Sequence, residues 1–160
     1  MHSHKLTELI VYLGGHPSVA DLGLTKLWKL IYFVEARALR EFGESITGSE
    51  FIKYAHGPVP SRGEKHLRQL VKNGEVTTAP RTIGERTLNE VKSVRKADWK
   101  YFTPKELTLI DGVCRKLGGE SASSLSDLSH QEPAWHYAEM MQKLSPELVL
   151  YGTQEDPDDL

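Results

Sequence analysis

With 160 residues, 39% of them hydrophobic, and a formal net charge of -2, the chain has the length and apolar content of one compact domain. A chain of this size buries roughly 70% of its unfolded surface and needs no covalent staples. Its single cysteine excludes an internal disulfide framework, and no segment approaches the roughly 20 consecutive apolar residues of a membrane helix. Met1–Ile10 lacks the apolar run of a signal peptide, so the expected location is the cytoplasm, with no membrane partner.

A pI near 6.4 argues against a dedicated nucleic-acid binder, for which a domain pI above about 9 is usual. The average hides an asymmetry. From Lys53 to Lys100 there are 11 Lys and Arg against 5 Asp and Glu, whereas Glu147 to Leu160 carries five acids and no base. Residues 1–152 are expected to form the domain and 153–160, with the sequence TQEDPDDL, a solvated acidic tail.

Along the chain, Ser3 is placed to cap a first helix that ends at Gly14-Gly15, with Leu6, Leu9, Ile10 and Leu13 on one face. A second helix is predicted from Thr25 to Phe42, stopping at Gly43. Leu27, Leu30, Ile31, Val34, Ala38 and Phe42 form its stripe, and Trp28, Tyr32 and Phe33 widen it into a central core helix. Glu50–Tyr54 reads as a short strand. It leads into Gly57-Pro58-Val59-Pro60, whose two prolines predict a stiff turn unable to pair fully in a sheet.

Ser61 and Glu64 have capping-box spacing for a helix running to Lys72 and ending at Asn73-Gly74. Two strands, Glu75–Ala79 and Arg86–Val94, follow around a turn at Pro80–Glu85. Thr103, Pro104 and Glu106 are a strong helix start, and Gly118-Gly119 is its end. Cys114 shares a face with Leu107, Ile110 and Leu117, which makes it a small core residue rather than a nucleophile. Ser124 and Asp127 are candidate caps for a helix carrying Leu125, Leu128, Ser129 and His130. Pro133 opens another with Trp135, and Ser145-Pro146-Glu147 a last short one. The sum is an α+β fold, mainly α-helical, with a small antiparallel sheet and a winged-helix-like middle section.

Three blocks stand out: TKLWKLIYF at Thr25–Phe33, YAHGPVPSR at Tyr54–Arg62 and LSDLSHQEPAW at Leu125–Trp135. In their order and spacing they resemble the Panacea or SocA-like antitoxin domain, and the resemblance runs from about Lys5 to Tyr137. It implies a bacterial or prophage antitoxin of a type II toxin-antitoxin system that blocks a protein toxin encoded nearby by stoichiometric binding. A protease adaptor delivering such a toxin for degradation is the other role the resemblance allows. The positions matching the family blocks are Lys26, Leu27, Lys29, Leu30, Tyr32 and Phe33, then His56, Gly57, Pro58, Val59 and Pro60, then Leu125, Leu128, Ser129, His130 and Trp135. These shared motifs are expected to hold the scaffold, with Tyr101, Phe102 and Tyr151 facing the toxin. His130 is expected to hydrogen-bond loose carbonyls near the Pro133 helix start and fix the angle between two helices.

The order helix, strand, turn, strand in the middle, with Lys65, Arg68 and Lys72 on the helix and Arg81 and Arg86 near the wing, makes a DNA-binding regulator the rival reading. Catalytic and metal signatures are missing: there is no phosphate loop, no H-E-x-x-H and no C-x-x-C pair. His130 and His136 have no nearby thiolate to complete a zinc site. Neither enzyme activity nor a cofactor is expected.

Overall fold

The computed structural model describes residues 3–151, with the side chains of Ser3 and Tyr151 outside the description. The expected acidic tail, the capping side chain of Ser3 and the side chain of Tyr151 therefore lie outside the described residues. In order, the elements are α1 (Ser3–Gly15), α2 (Leu24–Phe42), β1 (Phe51–Tyr54), β2 (Gly57–Pro60), α3 (Gly63–Lys72), β3 (Val76–Ile83) and β4 (Arg86–Ser93). They are followed by a 3-10 turn (Trp99–Tyr101), α4 (Pro104–Leu117), α5 (Ala122–His130), α6 (Pro133–His136) and α7 (Pro146–Tyr151). The fold is α+β, and its strands form two separate antiparallel hairpins, β1-β2 and β3-β4, rather than one sheet.

Helix α2 is the axis of the molecule. It packs on α4, β2, α5 and α7, so its apolar stripe has neighbours on most sides. Leu27, Leu30, Ile31, Tyr32 and Val34 are fully buried as a result. Gly43 ends it in the left-handed conformation, φ 75°, and its amide donates to the Leu39 carbonyl, as a glycine just past a helix end should. Helix α4 begins at the capping box read from sequence. The Glu106 amide donates to the Thr103 hydroxyl, and the Thr103 amide donates to the Glu106 carboxylate. Cys114 is buried in the core, where desolvation pushes its thiol up to about 12.

Four local expectations are corrected. GPVP is not a turn but strand β2, with Phe51 opposite Pro60, Ile52 opposite Val59, Lys53 opposite Pro58 and Tyr54 opposite Gly57. The reason is register. The main-chain groups of Phe51 and Lys53 bond the far-side segment, through Lys53 N to Gln142 O (2.9 Å), Met141 N to Lys53 O (2.8 Å) and Leu144 N to Phe51 O (2.8 Å). Their partners Pro60 and Pro58 thus occupy ladder positions whose amides would point away from β1, so the missing N–H groups cost no ladder bond.

The Ser61–Glu64 capping box does not form. Arg62 is the N-cap, without a side-chain bond, and the Ser61 amide is taken by the Glu50 carbonyl. Strand β3 runs through Pro80 to Ile83, with Pro80 opposite Asn89, so the turn is only Gly84-Glu85, where Gly84 takes a φ of 61°. The cap of α5 is Ser121, which accepts from the Ser124 amide, one helical turn before the expected start.

Candidate functional site

The three sequence blocks meet in space. Lys29 of α2 lies under the β1-β2 hairpin, only 1% exposed, and its Nζ donates to the Pro58 carbonyl at 3.3 Å. Burial lowers its amine to about 8. Gly57 has a φ of 124°, and a Cβ built there would overlap both the Lys29 Cε and the Ser129 hydroxyl, so backbone, lysine and α5 share one contact that only glycine fits. Ser129 is buried and donates to the Ser126 carbonyl at 2.8 Å.

A second junction ties α2 to the start of α6. Tyr32 donates to the Glu132 carboxylate at 2.9 Å, and Arg40 pairs with the same oxygen at 2.5 Å. Burial, followed by the negative charge of Glu132, raises the Tyr32 phenol well above its usual range. Lys26, also buried, donates to the Ala20 and Gly118 carbonyls at 2.5 Å each, which locks the start of α2 to the end of α4. Glu35 is buried and accepts from the Ile46 and Thr47 amides (3.1 and 2.8 Å) and from the Ser45 hydroxyl. Its carboxyl is nevertheless raised, because desolvation outweighs these bonds.

Above these junctions sits a stacked column. His130 stacks on Trp135 with centroids 4.0 Å apart, the Lys53 ammonium lies 4.1 Å from the Trp135 ring centroid, and the indole N–H donates to the Tyr54 carbonyl at 3.1 Å. His130 reaches the Ala55 backbone in the hairpin turn rather than the carbonyls near the Pro133 helix start, so it ties α5 to β1-β2 while its stack on Trp135 ties α5 to α6. Its Nε2 is buried without a hydrogen-bond partner among the described residues, and burial lowers its pKa. Trp135 itself is half-buried.

Four large apolar side chains are exposed on β1 and on the segment that follows α6. Tyr54, Tyr137, Met140 and Met141 are 37%, 73%, 52% and 56% exposed. Main-chain bonds tie β1 to 141–144, and Lys53 Nζ donates to the Ala138 carbonyl at 3.0 Å. Met141 takes a φ of 69°, a conformation that costs a non-glycine residue roughly 1–2 kcal/mol.

Of the residues expected to face a partner, Tyr101 is exposed and stacks with His4, centroids 5.4 Å apart. Phe102 is in the core at 6% exposure, so it cannot present its ring to a partner. The wing cation Arg81 is engaged by Glu90 and Asp21 (2.5 and 2.8 Å).

A family model described as antitoxin SocA-like, Panacea domain, matches residues 27–136. The chain belongs to this family. The matched range holds every motif residue named from sequence except Lys26. No curated protein and no solved structure gives a match. Membership of the Panacea family suggests an antitoxin-type role, and the family is not an enzyme family. No described helix of this Panacea domain is long and apolar enough to cross a membrane.

Sequence reasoning missed Lys53, Arg40, Glu35 and Glu132 as members of the constellation, and it missed Tyr137, Met140 and Met141 as surface. One signal was available for the buried charges. A helix flanked by apolar side chains on nearly every side must bury the charges it carries, and buried charges need partners.

Proposed function

We propose that this protein is the antitoxin of a type II toxin-antitoxin pair and neutralises a cognate protein toxin by direct, stoichiometric binding. Membership of the SocA-like Panacea family carries this reading. The docking face in this proposal is Tyr54, Tyr137, Met140 and Met141. Tyrosine supplies large anchors at little conformational cost, methionine adapts to differently shaped partners, and both suit a scaffold that meets toxins of unlike surface. The motif constellation beneath it supports that face as rigid backing, since the Trp135 column and the Lys29–Pro58 bond fix the hairpin from which Tyr54 projects. The partner in this proposal is a small toxic protein encoded beside the antitoxin gene.

Co-expression with the neighbouring gene product should restore growth, and the two chains should copurify. Met140→Glu with Tyr137→Ser, both changes on exposed side chains, should abolish rescue while leaving the melting temperature unchanged. Failure of rescue and of copurification for every adjacent small open reading frame would sink the antitoxin reading. Rescue that survives the double substitution would move the docking face elsewhere.

A further inference from the structure

Helix α3 turns Gly63, Leu67 and Leu70 into the core and leaves Glu64, Lys65, Arg68, Gln69, Val71 and Lys72 in solvent, four cations to one carboxylate once Arg62 is counted, with Arg62 and Asn73 exposed at its two ends. Arg62, Lys65, Arg68 and Lys72 follow one another at intervals of three, three and four residues, so they form a single line along the helix, neighbours about 5–6 Å apart. Two other arginines of this middle region are engaged, Arg81 with Glu90 and Asp21, and Arg95 with Glu8 and Glu75. None of the four cations of α3 makes an ion pair among the described residues, nor does Arg86 beside the β3-β4 turn. Their field reaches inward. His66, whose Nδ1 lies 3.2 Å from the Thr7 hydroxyl, is lowered in pKa by burial and then by the positive charges of Arg62 and Lys65.

We propose that the exposed face of α3, flanked by the β3-β4 hairpin, binds duplex DNA through its phosphate backbone. A row of unpaired cations on a helix of ten residues is complementary to a regular row of phosphates. The major groove is about 12 Å wide and admits an α-helix, and Gln69 and Asn73 are side chains of the kind that bond adenine edges there. The hairpin is positioned by α3 itself, because the Glu75 amide donates to the Leu70 carbonyl at 2.9 Å and β3 packs on the helix. An acidic protein surface would also attract these charges, but it gives no reason for the even spacing or for the two amide side chains between and beyond them. This activity uses a face distinct from Tyr54, Tyr137, Met140 and Met141, so it stands or falls separately from toxin neutralisation.

The test is anisotropy of a short labelled duplex titrated with the full chain at about 50 and 200 mM salt, where four phosphate contacts predict a loss of affinity of about a hundredfold. Replacing Lys65, Arg68 and Lys72 together by alanine should leave one contact, cutting the loss over that salt range to about threefold to fourfold and weakening binding at the lower salt. Thermal melting of the triple variant should match the parent, since all three side chains are exposed and alanine is a good helix former. Absence of DNA binding at the lower salt, or binding that the triple variant retains in full, would overturn the proposal. So would a triple variant that loses copurification with its protein partner while the parent chain ignores DNA, which would assign the face to an acidic protein surface instead.

Discussion

Lys29→Met removes a buried charge while keeping the volume of the side chain. The sign of its effect should change with pH. The lysine amine is lowered from 10.5 to about 8 by desolvation, and its one hydrogen bond is to the Pro58 carbonyl. Between about pH 8 and 10.5 the unfolded chain therefore holds a proton that the folded chain has released, and stability rises with pH through that window. At 1.36 kcal/mol per pKa unit the step corresponds to about 3 kcal/mol of instability carried by the charged lysine at neutral pH. Methionine escapes that cost but leaves the Pro58 carbonyl unpaired, a loss of about 1–3 kcal/mol. The variant should thus be modestly more stable than the parent near pH 7 and less stable near pH 10.5. Urea denaturation followed by circular dichroism across this range reads the difference directly. Cys114 and Tyr32, both raised, work in the opposite direction over the same pH range, but they are common to both chains and cancel in the comparison. Stability curves that run parallel from pH 7 to 10.5 would refute the placement of a charged Lys29 in the core.

Gly57→Ala combines a φ of 124° with overlap against Lys29 and Ser129, worth together about 2–5 kcal/mol, so the melting temperature should fall by roughly 4–20 °C. A fall equivalent to less than about 1 kcal/mol would show that the hairpin relaxes around the methyl group. Trp135→Ala should cost about 2–3 kcal/mol, less than a fully buried ring because Trp135 is half-buried, whereas Trp135→Phe keeps a stacking surface for His130 and should lose only about 1 kcal/mol. Equal melting temperatures for the two variants would contradict the stacked column. Cys114, with its thiol pushed up to about 12, should resist alkylation in the native chain near pH 8 and react once urea unfolds it, a difference that mass spectrometry resolves. Rapid modification of the folded chain would place the thiol outside the core.

Where local chemistry decides a structure, the sequence was readable. Thr103-Pro104-x-Glu106 and Phe42-Gly43 fix helix ends through bonds within a few residues, and both stand as expected. The errors lie where two local solutions compete or a distant segment decides. Ser121 and Ser124 are equivalent as hydroxyls, and the chain caps α5 with the first of them. Pro58 and Pro60 disqualify a strand unless their amide positions face outward, a parity set by the pairing of β1 with 141–144, some eighty residues further along the chain. Of the site, the three motif blocks were visible. Their ionic links were not, because Lys26, Lys29 and Glu35 have the spacing of ordinary helix charges and become core residues only when α4, α5, β2 and α7 close around α2.

The outer edge of β2 has a consequence for how any partner engages this molecule. A sheet edge normally offers alternating donors and acceptors to an incoming strand, and many proteins are captured or aggregate that way. Here the two outward donor positions are occupied by proline rings, and the Pro58 acceptor is already bonded from below by Lys29. On the opposite flank the edge of β1 is filled by the chain's own 141–144 segment. The hairpin is therefore finished as a sheet: another chain meets side chains there, not backbone, and recognition at this end of the molecule must be written in residue identity, the kind of code that substitution can rewrite without disturbing the fold.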